Sequence, residues 1–439
     1  MKTETRKNGK VKRIREADFV QIFTTDLNGR LITLQLNPNG IESIMENGIG
    51  FDGSSVPGIG RVEDSDRLLM PIQNTYKLIK FKEEKIGFFI GEIYDEQGVR
   101  SCFDPRATLE KVLIEAQSEF GFRFLVGPEH EFFLLTSEEY NKKIHTDRVG
   151  YCNADPSDNG SYVRKSILKV LADCGIQFEK AHHEVTNSQH EINLPPLDPL
   201  KAADRTLFFN YITKKVAEEH GYHVTFMPKP FDGKNRSAFH IHLSVQNEAG
   251  RNLFYKEDAD YGFSPTARQF IGGILKYARE SSIIMASTFN SYKAYIIERE
   301  APIKIGWGMK NRSSMVRIPQ VNDPDKIRIE LRSPDPSGNV YLQMAVLIGM
   351  GLQGIKENLD CGSPDNGSNY SKTNGSMLLD KNHLPKCMFE ALVEAERSDF
   401  LRKLLGEELY SNYISLKIAE WEDYRIHVTA REYHNYLKA

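Results

Sequence analysis

The chain has 439 residues, longer than a single core usually grows, so two domains are expected, one small and one large. Lys plus Arg number 57 against 60 Asp plus Glu, a near-balance that gives no general attraction for nucleic acid or for an anionic membrane surface and leaves a small-molecule substrate as the expectation. The five cysteines (102, 152, 174, 361, 387) are odd in number and form no C-x-x-C, which argues against a disulfide framework and a Cys-built zinc site and for a reducing, cytoplasmic setting.

Residues 1–18 read as a basic, solvated arm without a clear amphipathic helix, and MKTETRKNGKVKRIR has no apolar segment after its charges. No later apolar run approaches the roughly 18 residues of a spanning helix, so no membrane partner is expected. FVQIFTT and LITLQL alternate as strands around a turn holding Asn28-Gly29, a strong hairpin signal. LLMPI and KIGFFIGEIYDEQGVR continue a small β domain over residues 19–104. At FDPR (103–106) the pattern changes, and ATLEKVLIEAQSEFG opens with helical periodicity. From 105 to 439, strand-like runs (FRFLVGPEHEFFLL, HHEVTNSQHEINL, RSAFHIHLSV, KIRIELRSP) alternate with helical ones (RKSILKVLADCG, AADRTLFFNYITKKVAEEHG, ARQFIGGILKYARE), an α+β domain of catalytic size. CGSPDNGSNYSKTNGS is a polar loop, and the segments after Leu384-Pro385 read as terminal helices.

The charged residues inside the strands carry the chemistry. Glu129 and Glu131 in GPEHEFFLL are two apart, so both carboxylates project from one strand face, where like charges repel unless a cation joins them. An exposed acidic face would explain that pair alone. The pattern recurs, however: Glu184 and Glu191 bracket HHEVTNSQHE, His240 and His242 share a face in FHIHLSV, and Glu330 alternates with Arg328 and Arg332 in RIELRS. Carboxylates with an imidazole suit a hard divalent ion, Mg2+ or Mn2+.

FDGSS (51–55), GPEHEF (127–132), HHEV (182–185), QHEI (189–192), HIHLS (240–244), EAP (300–302), NRS (311–313), RIP (317–319) and RIELRSPDPSGN (328–339), in this order, make the sequence resemble the glutamine synthetase family, of the bacterial and archaeal type and in its short form without an adenylylation loop. The resemblance spans essentially the whole chain. It implies a β-grasp-like N-terminal domain and a larger domain with a curved antiparallel sheet. It implies an ATP-dependent ligase that joins a carboxylate to ammonium through an acyl phosphate. One metal would be held by Glu131, Glu184 and Glu191, the other by Glu129, His240 and Glu330. Arg312, Arg317, Arg328 and Arg332 would face phosphate and carboxylate oxygens, with fixed guanidinium forks that cannot lose their proton. Glu179, His242 and Ser244 would lie near the nucleotide. The ammonium pocket would combine Tyr151, Glu184 and Glu300 with Asp52 and Ser55 of a neighbouring subunit, which implies a homo-oligomer, a hexameric ring or stacked dodecamer.

Two departures fall on the acid-binding side. The family's N-Y-K-R-L-V-P-G-x-E-A-P grips the α-carboxylate of glutamate with its arginine; here Asn290-Ser291-Tyr292-Lys293 is followed by Ala294. Losing such a contact costs about 2 to 5 kcal/mol if nothing replaces it. The family's N-G-S-G-M-H is here Asn235-Arg236-Ser237-Ala238-Phe239-His240, with an arginine in place of glycine. Either Arg236 or Arg299 takes over the clamp and glutamate is still bound, or the acid lacks glutamate's α-amino-acid head; the intact ammonium side favours the second. That intact side fits a γ-glutamyl-amine ligase less well. A non-catalytic assembly protein would be expected to lose metal ligands, and all six positions are filled.

Overall fold

The computed structural model describes residues 14–142, 144, 147–156, 158–295, 302–365, 367 and 381–438. Strands β1 (Phe19–Thr25) and β2 (Leu31–Leu36) form the expected antiparallel hairpin, with Val20 opposite Leu36. With β3 (Ile49–Asp52), β4 (Asp66–Pro71), β5 (Lys77–Lys80) and β6 (Lys85–Tyr94) they make a six-stranded sheet of order β2-β1-β6-β4-β3, in which β5 also pairs with β6. β1 runs parallel to β6, a pairing that cannot be closed by a tight turn and brings the first and last strands of the sheet together. Phe23 and Phe88 of those two strands are fully buried against Phe208 and Tyr211 of the helix Pro199–Glu219, with ring centroids 5.1 to 6.3 Å apart.

A helix follows at Pro105–Phe120, where proline at the first turn has no orphan N–H to leave unpaired and the Asp104 carboxylate accepts from Arg106 N at 2.9 Å. The second sheet has eight strands: β7 (Arg123–Thr136), β8 (Lys180–His183), β9 (Gln189–Asn193), β10 (Tyr222–Thr225), β11 (Phe239–Gln246), β12 (Trp307–Met309), β13 (Val316–Ile318) and β14 (Ile329–Leu331). Their order is β12-β13-β14-β11-β7-β9-β8, with β10 on the far end of β7. All pairs are antiparallel except β12 with β13. The long β7 is the axis, pairing with β11 along most of its length and with β9 and β10 toward its C-terminal end.

Helices Pro265–Tyr277 and Val340–Lys356 cross at glycines. A Cβ on Gly273 would lie 2.1 Å from the Met350 carbonyl oxygen and one on Gly354 would lie 2.2 Å from that of Gln269, so only hydrogen fits at this crossing. Terminal helices Met388–Glu396, Asp399–Leu405 and Glu407–Ile426 stand where helices are expected. One expectation is corrected. HHEVTNSQHEINL is not one extended run but two strands around the turn 184–188, closed by Ser188 in the left-handed region at φ 61°. The five cysteines are free thiols, and no described helix is long and apolar enough to cross a membrane.

Candidate active site

Strand register assembles the site. Across β7 and β11 Glu129 pairs with His240; across β7 and β9 Glu131 pairs with Glu191; across β8 and β9 His182 pairs with Glu191; and across β11, β14 and β13 Glu330 stands opposite both His242 and Arg317. Because side chains alternate along a strand, this register sends one set of acids and imidazoles to one face of the sheet. All of these except His242 line a cavity of about 340 Å³ together with Tyr151, Lys180, Glu184, Arg312 and Arg332.

Glu129 is the hub. Its carboxylate accepts from Asn193 Nδ2 at 2.6 Å and lies 3.1 Å from His240 Nδ1 and 3.0 Å from His242 Nε2. Burial alone would raise its pKa, but the two imidazoles overcome that and hold the carboxyl well below the usual range. Glu330, only 1% exposed, accepts from Arg317 Nη1 and Arg332 Nη1, both at 2.5 Å. There, too, burial works upward, and Arg332, His242 and His240 hold the carboxyl down at about 2. On the other side of the cavity Glu184 is pushed up to about 9, by burial first and then by Glu131 and Glu191. Three carboxylates converge there with too little positive charge.

Ligand atoms of Glu129, His242 and Glu330 lie within 4.8 Å of one another, and so do those of His182, Glu184 and Glu191. His240 lies beside the first trio, 3.8 Å from Glu330 Oε1. Glu131 borders the second, its Oε2 accepting from Gln189 Nε2 and Ala238 N, each at 2.9 Å. The donor set is oxygen and imidazole throughout, and the unbalanced charge at Glu184 fits a divalent cation. The buried Nε of Arg317 has no hydrogen-bond partner among the described residues, a donor suited to an anionic oxygen.

The remaining expected residues are spread more widely. Arg328 is not among the cavity-lining residues; it donates from Nε to His242 Nδ1 at 3.2 Å, while Arg312 bonds the Tyr151 side chain. Ser244 is farther along β11, opposite Leu125, and Glu179 is an exposed residue preceding β8. Asn235 is half-buried. Asp52 ends β3 and Ser55 is in the short turn Gly53–Ser55 that follows it, not on this chain's cavity; both Ser54 and Ser55 hydroxyls donate to Asp52 at 2.6 Å and, with burial opposing, lower its pKa. Arg236 is buried and turned to backbone: Nη1 donates to the Ser333 carbonyl at 3.1 Å, Nη2 to that of Arg332, and the guanidinium lies 5.9 Å from the Tyr295 ring centroid. Arg299 and Glu300 lie outside the described residues.

Besides Val185, two charged or imidazole residues of the cavity escape the sequence reading. His182 reaches Glu184 at 3.4 Å and Glu191 at 3.5 Å; the doublet His182-His183 signals two opposite strand faces but not which face is inward. Lys180, 54% exposed, reaches Glu129 and Glu191 at 3.7 and 3.6 Å, and nothing in EKAHHEV distinguishes it from a surface lysine.

The family model for the glutamine synthetase catalytic domain matches residues 102–436, and that for the glutamine synthetase β-grasp domain matches residues 16–96. Similar curated proteins include the glutamine synthetases of Methanosarcina mazei, 36% identical over 450 residues covering 100% of this chain and 99% of that one, and of Clostridium saccharobutylicum, 34% identical over 424 residues covering 95% of each. Among solved structures, a GmaS/ADP complex is 30% identical with a TM-score of 0.87, covering 98% of this chain and 99% of that one. The cryo-EM structure of Plasmodium falciparum glutamine synthetase, 24% identical with a TM-score of 0.86 over 97% of this chain and 98% of that one, shares the fold.

Proposed function

The chain belongs to the glutamine synthetase family and is an ATP-dependent carbon–nitrogen ligase, and from that premise we propose that it joins ammonium to a carboxylic acid lacking glutamate's α-amino-acid head. The observation that carries this reading is the acid side of the site. Ala294 stands at the clamp position, buried at 3% exposure, and Arg236, the candidate replacement among the described residues, directs both Nη atoms to the carbonyls of residues 332 and 333. With two of its five N–H donors tied to backbone carbonyls, that guanidinium is held against residues 332 and 333 rather than presented as a free fork for a carboxylate.

In this reading Glu131, Glu184 and Glu191 hold one divalent cation and Glu129, His240 and Glu330 the other, with Mg2+ or Mn2+ as the ion. When bound with ATP, the two ions neutralise charge on the transferring phosphoryl group. Arg312, Arg317 and Arg332 supply fixed positive charge around the same cavity, and Arg328, through His242, steadies the Glu129 end. Glu184 and Tyr151 face the nitrogen donor and, with Glu300 and a neighbour's Asp52 and Ser55, select ammonium and take its proton. The acyl phosphate needs that free amine, since ammonium itself is no nucleophile. Glu179, Ser244 and Asn235 border the nucleotide and acid ends. The active unit is a homo-oligomer in which residues 19–104 of one subunit complete the site formed by residues 105–439 of the next.

A second reading, glutamate as the acid with Arg299 as the clamp, is favoured by the names of the relatives. ADP release with Mg2+, ATP and ammonium separates the two, comparing glutamate with acids that have no α-amino-acid head. We expect turnover with a member of that panel and little with glutamate, and none with Glu129→Ala. Efficient glutamate-dependent turnover would instead establish glutamine synthesis.

A further inference from the structure

β8 and β9 have a back face as well as a face to the cavity. His182 points to the cavity; its neighbour His183, fully buried, points away. The two nitrogens of His183 both meet oxygens that can only accept: Nε2 lies 2.6 Å from Asp147 Oδ2 and Nδ1 lies 2.6 Å from the backbone carbonyl oxygen of Glu184. The ring therefore donates from both sides and ties Asp147 to the backbone of Glu184.

Asp147 holds more than the imidazole. Its Oδ2 also accepts from Ser188 N at 2.9 Å, its Oδ1 from Val149 N at 2.7 Å, and its backbone carbonyl from Asn187 Nδ2 at 2.5 Å. At the other end of the same segment Cys152 N donates to the His183 carbonyl at 3.1 Å. Segment 147–152, which carries Tyr151, is thus fastened at one end to the turn 184–188, which carries Glu184, and at the other to His183 at the end of β8, immediately before that turn. Both anchored residues line the cavity.

We propose that Asp147 is a positioning residue for the nitrogen-donor half of the site, setting Glu184 through His183 and setting Tyr151 through its own segment. The inference rests on the reading of Glu184 as a metal and ammonium residue given above. Asp147, His183 and His190 also have the spacing of a metal trio, with ligand atoms within 4.8 Å. That alternative is weaker, because both His183 nitrogens are engaged and Arg164 Nη1 donates to His190 Nδ1 at 2.6 Å. A cation would have to displace a guanidinium from the cluster.

The test compares the full-length protein with Asp147→Ala and Asp147→Asn, and with Glu138→Gln as a control, an exposed glutamate whose carboxylate pairs with Lys142. Mn2+ binding is followed by titration calorimetry, and the Michaelis constants for ammonium and ATP are determined separately. We expect one of two classes of Mn2+ site to weaken about tenfold or more in Asp147→Ala, the range for losing a residue that orients a ligand, and the other to change by less than about twofold. The ammonium KM rises by a similar factor while that for ATP is unchanged. Asp147→Asn, which keeps one acceptor oxygen, falls between the two, and Glu138→Gln matches the unsubstituted protein. If Asp147→Ala does not fold, the same comparison is read from Asp147→Asn. Two unchanged Mn2+ classes, equal weakening of both, or a fall in kcat with both KM values unchanged would overturn the inference. Failure of the unsubstituted protein to bind Mn2+ in two classes would overturn the site assignment beneath it.

Discussion

Glu184 shows how a single side chain can report whether the cavity is filled. Its carboxyl is pushed up to about 9 by burial and by Glu131 and Glu191, so without a cation it holds a proton at neutral pH. The sign of the linkage follows. The native state then binds a proton that the unfolded chain has already released, so this group's contribution makes the metal-free protein less stable as pH rises from about 4.5 toward 9. A divalent cation held at Glu184, as proposed, would replace the proton and remove the penalty. We expect Mg2+ or Mn2+ binding at pH 7 to release about one proton per subunit, measured by calorimetry in buffers of different ionisation enthalpy, with Glu184→Gln abolishing the release. At this scale much of the site is legible in the sequence, because alternation alone puts Glu129 with Glu131 and His240 with His242. The direction of Arg236 is not legible, since it depends on carbonyls almost a hundred positions away in the chain.

Elements bring those residues into register, and here the sequence is less explicit. The spacing of Glu184 and Glu191 is compatible with one strand or with a hairpin, and only the turn closed by Ser188 places both carboxylates on the same cavity wall. The acid-rich strands are legible singly; their order around β7 depends on pairings between distant segments, such as β11 with β14, that no local pattern specifies. Behind them, the glycine crossing of helices Pro265–Tyr277 and Val340–Lys356 sets how closely the outer layer packs. A methyl group at Gly354 has the Gln269 carbonyl at 2.2 Å and the Gly273 Cα at 2.6 Å, so the helices must separate to admit it. Gly354→Ala should gain helix propensity yet lower stability by about 1 to 3 kcal/mol, read from the urea midpoint. An increase in stability would show that the crossing relaxes freely.

For the whole molecule, the informative fact is distance within one chain. Asp52, at the end of β3, and Ser55, in the turn that follows it, do not line the cavity of their own subunit. If sites are completed between neighbours, two inactive variants should repair each other. Asp52→Ala and Glu129→Ala, unfolded together and reassembled in equal amounts, should recover about a quarter of native activity, the fraction of junctions at which both contributing halves are intact. Assemblies mixed without dissociation should recover none. No recovery after verified co-assembly of two inactive variants would place Asp52 in its own subunit's chemistry.

The aromatic contact between Phe23 and Phe88 on one side and Phe208 and Tyr211 on the other has a consequence for protein engineering and for descent. Asn339 adds to it, donating to the Thr25 hydroxyl at 3.0 Å and to the Asp26 carbonyl at 2.9 Å. The two halves therefore share one hydrophobic core rather than meeting at a polar seam. A chimera that grafts the first hundred residues of a relative onto this catalytic half inherits a mismatched jigsaw unless those four rings travel together, so they form a heritable unit that cuts across the boundary between the two domains.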